Sequence, residues 1–101
     1  MTAITQHEKD MIIKIIKKHA PNCDILMFGS RLRGTNNQAS DLDLALVGKE
    51  KLATGVIGHI KEDFMESDIP YKVDVLDYHA VSPEFRKIID TTNRRFINCI
   101  P

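Results

Sequence analysis

The sequence predicts an α/β (α+β) chain in which short strands alternate with amphipathic helices. Three observations carry that reading. Apolar residues recur at helical spacing in segments 6–19, 50–67 and 83–91. Three short runs, 25–28, 41–47 and 71–76, are continuously apolar or alternate in sidedness, as strands do. The 101 residues, 43% of them apolar, suffice for one domain spanning 1–101 with a real core.

Thr5-Gln6-His7-Glu8 is a capping box, a hydroxyl at the N-cap and a carboxylate three residues on. Met11, Ile12, Ile15 and Ile16 form the stripe that follows. Lys9, Lys14, Lys17 and Lys18 lie largely off that stripe, and the lysines gather toward the C-terminal end, which suits the helix dipole. The helix is expected over Gln6 to His19, stopped by Pro21. Ile25 to Phe28 is a buried strand ended by Gly29, and Ser30 to Gly34 a short helical turn leading into a loop. Asp41 to Val47 is a second strand, with Leu42, Leu44 and Leu46 on one face and Asp41, Asp43 and Ala45 on the other.

Glu50 to Ser67 reads as an amphipathic helix through Leu52, Val56, Ile57, Ile60 and Phe64, weakened at Gly55 and Gly58. Tyr71 to Leu76 is a third strand, with Val73 and Val75 facing one way and Lys72, Asp74 and Leu76 the other. Ser82-Pro83 caps a last helix running to Thr91, expected to bury Phe85, Ile88 and Ile89. Arg94 to Pro101 is a tail that Phe96, Ile97 and Ile100 could dock.

Fourteen basic and fourteen acidic residues cancel, which removes any general pull toward nucleic acid or membrane. No apolar run approaches the roughly 20 residues needed to span a bilayer. With only Cys23 and Cys99, no disulfide framework or zinc cluster is visible, so a reducing, cytoplasmic setting is expected. The four histidines share no metal-ligand spacing, so helix-end and surface roles are expected of them. Tyr71 and Tyr78 flank the third strand and are read as strand-edge packing.

The chemistry concentrates between Phe28 and Leu46. Gly29 and Ser30 follow an apolar run, and ten residues separate Ser30 from Asp41-Leu42-Asp43. Gly29 has no Cβ, so backbone N–H groups can approach a phosphate, and Ser30 adds a hydroxyl donor. Arg31 and Arg33 can neutralise phosphate charge. Asp41 and Asp43 share a strand face and can converge on a divalent cation. A third carboxylate is wanted on a neighbouring strand. Asp74, set between two valines where an uncompensated charge is expensive, is the first candidate, and Asp77 at the strand end, where a solvated Asp is unremarkable, is the second. Taken singly, Gly-Ser is usually a turn and Asp-x-Asp a solvated strand face. In this order, together with a later Asp, they meet the requirement of phosphoryl or nucleotidyl transfer, phosphate and metal in one site.

This set resembles the nucleotidyltransferase superfamily that includes DNA polymerase beta, and is most similar to its minimal nucleotidyltransferases (MNT proteins). The resemblance rests on Gly29-Ser30, Arg31-Leu32-Arg33-Gly34, Ser40-Asp41-Leu42-Asp43 and Asp74, and covers about half of the chain. It implies a small mixed sheet backed by helices, two Mg²⁺ ions, and AMP transfer from ATP or another nucleoside triphosphate to a hydroxyl. By the same resemblance Asp41, Asp43 and Asp74 are catalytic metal ligands, and Gly29 and Ser30 hold the triphosphate. It also implies a helical HEPN protein partner, toxin to this chain's antitoxin, modified on a tyrosine. The absence of a recognition domain fits an acceptor on another polypeptide. Two other readings stay open: a catalytically silent antitoxin acting by contact, and a nucleotidyltransferase acting on a small molecule or RNA 3′ end with a separate recognition subunit. The base, the acceptor and the oligomeric state are not encoded legibly.

Overall fold

A computed structural model of the chain describes residues 4–28, 42–92 and 94–95. Helix α1 is Gln6–His19 and begins on the expected capping box. The Glu8 N–H donates to Thr5 Oγ1 at 3.1 Å, and the Thr5 N–H donates to Glu8 Oε1 at 3.2 Å. Glu8 Oε1 also accepts from the Tyr71 hydroxyl at 3.1 Å, which ties the start of α1 to the approach of the third strand. Ile12 and Ile16 are fully buried beneath the helix.

Strand β1 is Asp24–Phe28, β2 is Leu42–Val47 and β3 is Val73–Asp77. A two-residue strand β4, Arg94–Arg95, completes a four-stranded sheet among the described residues, in the order β3-β2-β1-β4. The pairs β1–β2 and β1–β4 are antiparallel, while β2–β3 is parallel. The sheet is therefore mixed. Arg94 and Arg95, read from sequence as tail, pair with Met27 and Leu26.

Helix α2 is Val56–Glu66 and helix α3 is Pro83–Thr92, with a 3-10 turn at Tyr78–Ala80 between β3 and α3. The sequence placed the start of α2 at Glu50. Gly55 adopts φ 93°, a left-handed conformation that breaks the helical path, so the six residues from Glu50 to Gly55 lie outside the helix. Leu52 still packs against the core from that non-helical segment. The Ser82 cap is as expected: the Phe85 N–H donates to Ser82 Oγ at 3.1 Å. Burial on α3 is not. Ile89 is fully buried, but Phe85 and Ile88 are 38% and 54% exposed. The expected turn at Ser30 to Gly34 and the apolar tail residues Phe96, Ile97 and Ile100 lie outside the described residues.

The two sheet faces carry separate clusters. Leu42, Leu44, Leu46, Val73, Val75, Ile25 and Met27 pack with Ile12 and Ile16 of α1 and Ile60 and Phe64 of α2. The opposite face carries the smaller cluster of Phe28, Ala45 and Ile89, with Leu26, Leu76, Tyr78 and Val81 against it. Helices α1 and α2 are joined at their edge by His19 Nε2 and Asp63 Oδ2, 2.7 Å apart. That bond, with the Lys18 ammonium at 3.7 Å, holds the Asp63 carboxyl below the usual carboxylate range. Among the described residues no helix is long and apolar enough to cross a membrane.

Candidate active site

Strand alternation decides where the acids point. In β2 the leucines at 42, 44 and 46 are buried in the main core, so Asp43 and Ala45 face the opposite side. In β3 the buried Val73 and Val75 leave Asp74 and Leu76 on that same opposite side. The parallel register pairs Asp43 with Asp74 across the two strands. Neighbouring strands lie about 4.8 Å apart, so both carboxylates emerge on one face at one level of the sheet. On the other side of Asp43 the antiparallel register places Phe28. Phe28 is the residue covalently joined to Gly29, and Leu42 is joined to Asp41. The Leu42 N–H donates to the Lys72 carbonyl at 2.9 Å, which extends the ladder to the residue before β3.

The structure thus brings Asp43 and Asp74 together. Gly29, Ser30, Arg31, Arg33 and Asp41 lie outside the described residues. Asp74 does not sit where an uncompensated charge is expensive. Its side chain is 49% exposed, because the valines beside it in sequence point to the other face. No burial cost singles it out; its register opposite Asp43 does.

Asp77 is likewise not the solvated strand-end residue expected. It is 6% exposed, and both of its oxygens are engaged. Oδ2 accepts the Leu52 N–H at 2.8 Å, and Oδ1 accepts the His79 N–H at 3.0 Å, capping the 3-10 turn. In β3 it faces the main-core side, with Val73 and Val75. Asp77 is a structural acid that organises the backbone on both sides of β3.

Fitness for a divalent cation can be judged on donor chemistry. Two carboxylates on one face, one of them open to solvent, are the hard oxygen ligands that Mg²⁺ takes. Among the described residues no group of three or more His, Cys, Asp or Glu is assembled for a metal. Asp43 and Asp74 form a pair of acids at one register position. One residue that the sequence reading did not single out also stands here. Lys61 of α2 places Nζ 3.7 Å from Asp74 Oδ1. Both line an open groove of about 460 Å³ with Lys72, Tyr71 and Met65. A lysine on the polar side of an amphipathic helix carries no sequence signal for such a contact.

Other candidates resolve into packing. The Tyr78 hydroxyl donates to Asp90 at 2.8 Å, and that bond, with burial and the carboxylate's charge, pushes the phenol up. His79 Nε2 lies 2.7 Å from the Gly48 carbonyl oxygen. Cys23 is a buried free thiol raised by that burial.

Asp43 and Asp74 stand side by side on a mixed sheet, next to the end of an antiparallel strand. Residues 10–98 match the family model described as polymerase beta, nucleotidyltransferase, and the chain belongs to that family. It is 38% identical over 86 residues to the probable protein adenylyltransferase MntA of Haemophilus influenzae, covering 85% of this chain and 75% of that protein. The same fold recurs in solved structures. A toxin–antitoxin crystal structure with AMP-PNP superimposes with a TM-score of 0.74 at 22% identity, over 87% of this chain and 71% of the other. An MNT antitoxin in complex with the tri-AMPylated Shewanella oneidensis HEPN toxin superimposes with a TM-score of 0.68 at 20% identity, over 90% and 70%.

Proposed function

We propose that this chain is a Mg²⁺-dependent protein adenylyltransferase that moves AMP from ATP to a tyrosine hydroxyl of a HEPN-type partner, and that it acts as the antitoxin of that pair. The observation that supports this most is the register of Asp43 against Asp74, with Phe28 on the far side of Asp43. That register sets Phe28, the last residue of β1, and two carboxylates side by side across three neighbouring strands. The name of the Haemophilus influenzae relative gives the direction, a protein acceptor and an adenylyl donor.

In this reading Asp41, Asp43 and Asp74 would hold two divalent cations. When bound, the cations neutralise phosphate charge and favour ionisation of the acceptor hydroxyl. Gly29 and Ser30 bind and orient the triphosphate, and Arg31 and Arg33 balance its charge. The acceptor oxygen attacks the α-phosphorus of ATP. The bond from that phosphorus to the oxygen bridging to the β-phosphate breaks, and pyrophosphate leaves. The acceptor's proton passes to solvent. Asp74 orients the acceptor side, Asp43 the nucleotide side.

The test is mass spectrometry of a HEPN-type partner after incubation with the chain, ATP and Mg²⁺. AMP added to a partner tyrosine is expected, with less for Ser30→Ala and none for Asp43→Asn. Unchanged partner alongside adenylylation of an aminoglycoside or a tRNA end would overturn the reading. Neutralisation of the toxin by Asp43→Asn as complete as by wild type would instead point to contact alone.

A further inference from the structure

The contact between Lys61 and Asp74 has a bearing on cation binding that the proposed chemistry does not use. Lys61 belongs to α2, and its Nζ stands 3.7 Å from Asp74 Oδ1. A divalent cation on the Asp74 carboxylate would meet that ammonium at close range, and like charges at such a distance repel. Both side chains are 49% exposed, so the ammonium can withdraw into water. The groove of about 460 Å³ bounded by Lys61, Lys72 and Met65 gives it room to do so. Lys72 adds a second positive charge to the same groove. In the absence of metal, the ammonium offsets the repulsion between two acids that share a register position.

We propose that Lys61 is a positioning residue for Asp74 and an internal competitor for the cation. It occupies the carboxylate's field until metal arrives, and so sets how much free Mg²⁺ the site requires. The inference rests on the reading of Asp74 as a metal ligand. In this role Lys61 does not touch the nucleotide. A closed site would strengthen the competition, but here water and salt screen it. The expected effect is therefore modest, about three- to tenfold in cation affinity.

The experiment is a titration of the full chain with Mn²⁺, following the free ion by electron paramagnetic resonance. Wild type, Lys61→Gln, Lys61→Arg and Asp74→Asn are compared. Lys61→Gln should bind Mn²⁺ about three- to tenfold more tightly than wild type. Lys61→Arg, which keeps the charge, should stay within about twofold. Asp74→Asn should bind more weakly. Affinity for a non-hydrolysable ATP analogue without metal should be the same in wild type and Lys61→Gln. Equal or weaker Mn²⁺ binding by Lys61→Gln, with the Asp74→Asn loss intact, overturns the role of Lys61 alone. Loss of analogue binding in Lys61→Gln overturns it too and makes Lys61 a phosphate ligand. Unchanged Mn²⁺ binding in Asp74→Asn overturns the assignment of Asp74, and the Lys61 inference with it.

Discussion

Replacing Asp77 by Asn should weaken the fold markedly while leaving the transfer chemistry in place. Asp77 is 6% exposed and accepts two backbone N–H groups, from Leu52 at 2.8 Å and His79 at 3.0 Å. An amide has one carbonyl oxygen. Whichever way it turns, one N–H keeps an acceptor and the other meets an NH₂ group. A hydrogen bond to a charged acceptor is worth about 1.5–3 kcal/mol, and the orphaned N–H adds a desolvation cost. Removing the buried charge returns part of this, so a net loss of about 2 kcal/mol is expected. For a chain of this size each kcal/mol lowers Tm by roughly 4–8 °C, so the melting point should drop by about 8–16 °C. The chain has no Trp, so urea unfolding is best followed by far-UV circular dichroism. Asp74→Asn is the control. Its contact with Lys61 is a half-exposed pair at 3.7 Å, and exposed pairs contribute about 0–1 kcal/mol. A stability change below about 0.5 kcal/mol for Asp77→Asn would refute the structural assignment. So would intact stability combined with lost adenylyl transfer, which would move Asp77 into the catalytic set.

Three further outcomes are expected. Asp74→Asn should reduce the transfer rate by more than the roughly hundredfold that losing an outer-shell partner of a metal costs, while ATP affinity changes little; single-turnover kinetics separate the two, and equal losses would make Asp74 a nucleotide-side ligand. Gly55→Ala should destabilise by about 1–2 kcal/mol, since φ 93° is strained for any residue with a Cβ, and a neutral result in urea titration would count against that turn. Asp63 has a lowered folded-state carboxyl, so its contribution is present above the ordinary carboxylate range and is lost as pH falls through the folded value; urea midpoints between about pH 2 and 5 should fall more steeply for wild type than for Asp63→Asn.

What could be read from sequence was local. The Thr5–Glu8 box and the Ser82 cap each depend on residues three apart, and both form as written. The alternation in β2 and β3 put Asp43 and Asp74 on the polar sides of their own strands, because the leucines and valines between them had to face the core. What was illegible came from elsewhere in the chain. Leu52 kept the helical spacing of Val56 and Ile60, yet its N–H is held by Asp77, 25 residues away, in a segment that Gly55 separates from the helix. Asp77 looked like a solvated terminus because nothing near it in sequence reveals two donors converging on it. Phe85 and Ile88 shared the period of Ile89, but only Ile89 is fully buried in the small cluster on the sheet's second face, while Phe85 meets Phe28 edge-on and stays 38% exposed. Two residues of β4 are too few to show a strand period. Lys61 was silent because its contact depends on how α2 lies along β3.

Register is the point at which fold and candidate site become one problem. Strand side chains repeat every two residues, so slipping β2 by one position against its neighbours would turn Asp43 toward the main core and Leu42 or Leu44 toward solvent. Three leucines at 0% exposure oppose that slip. Burying a Leu side chain is worth about 1.5–3 kcal/mol, and a buried unpaired carboxylate is costly in its own right. A slip of two residues would keep the faces but set Asp43 opposite Lys72 or Leu76, positions adjoining Val73 and Val75 in sequence. That slip is opposed by the Leu42 N–H bond to the Lys72 carbonyl and by the antiparallel pairing on the other side, which fixes Phe28 against Asp43. The apolar residues of β2 thus select the face, and its two neighbours select the level. The meeting of Asp43 with Asp74 follows from both, so a core variant such as Leu44→Ala, expected to cost about 2–5 kcal/mol, should loosen the carboxylate pair before it unfolds the chain. A fall in Mn²⁺ affinity for Leu44→Ala at temperatures where circular dichroism still reports a native sheet would show that coupling, and unchanged affinity there would refute it.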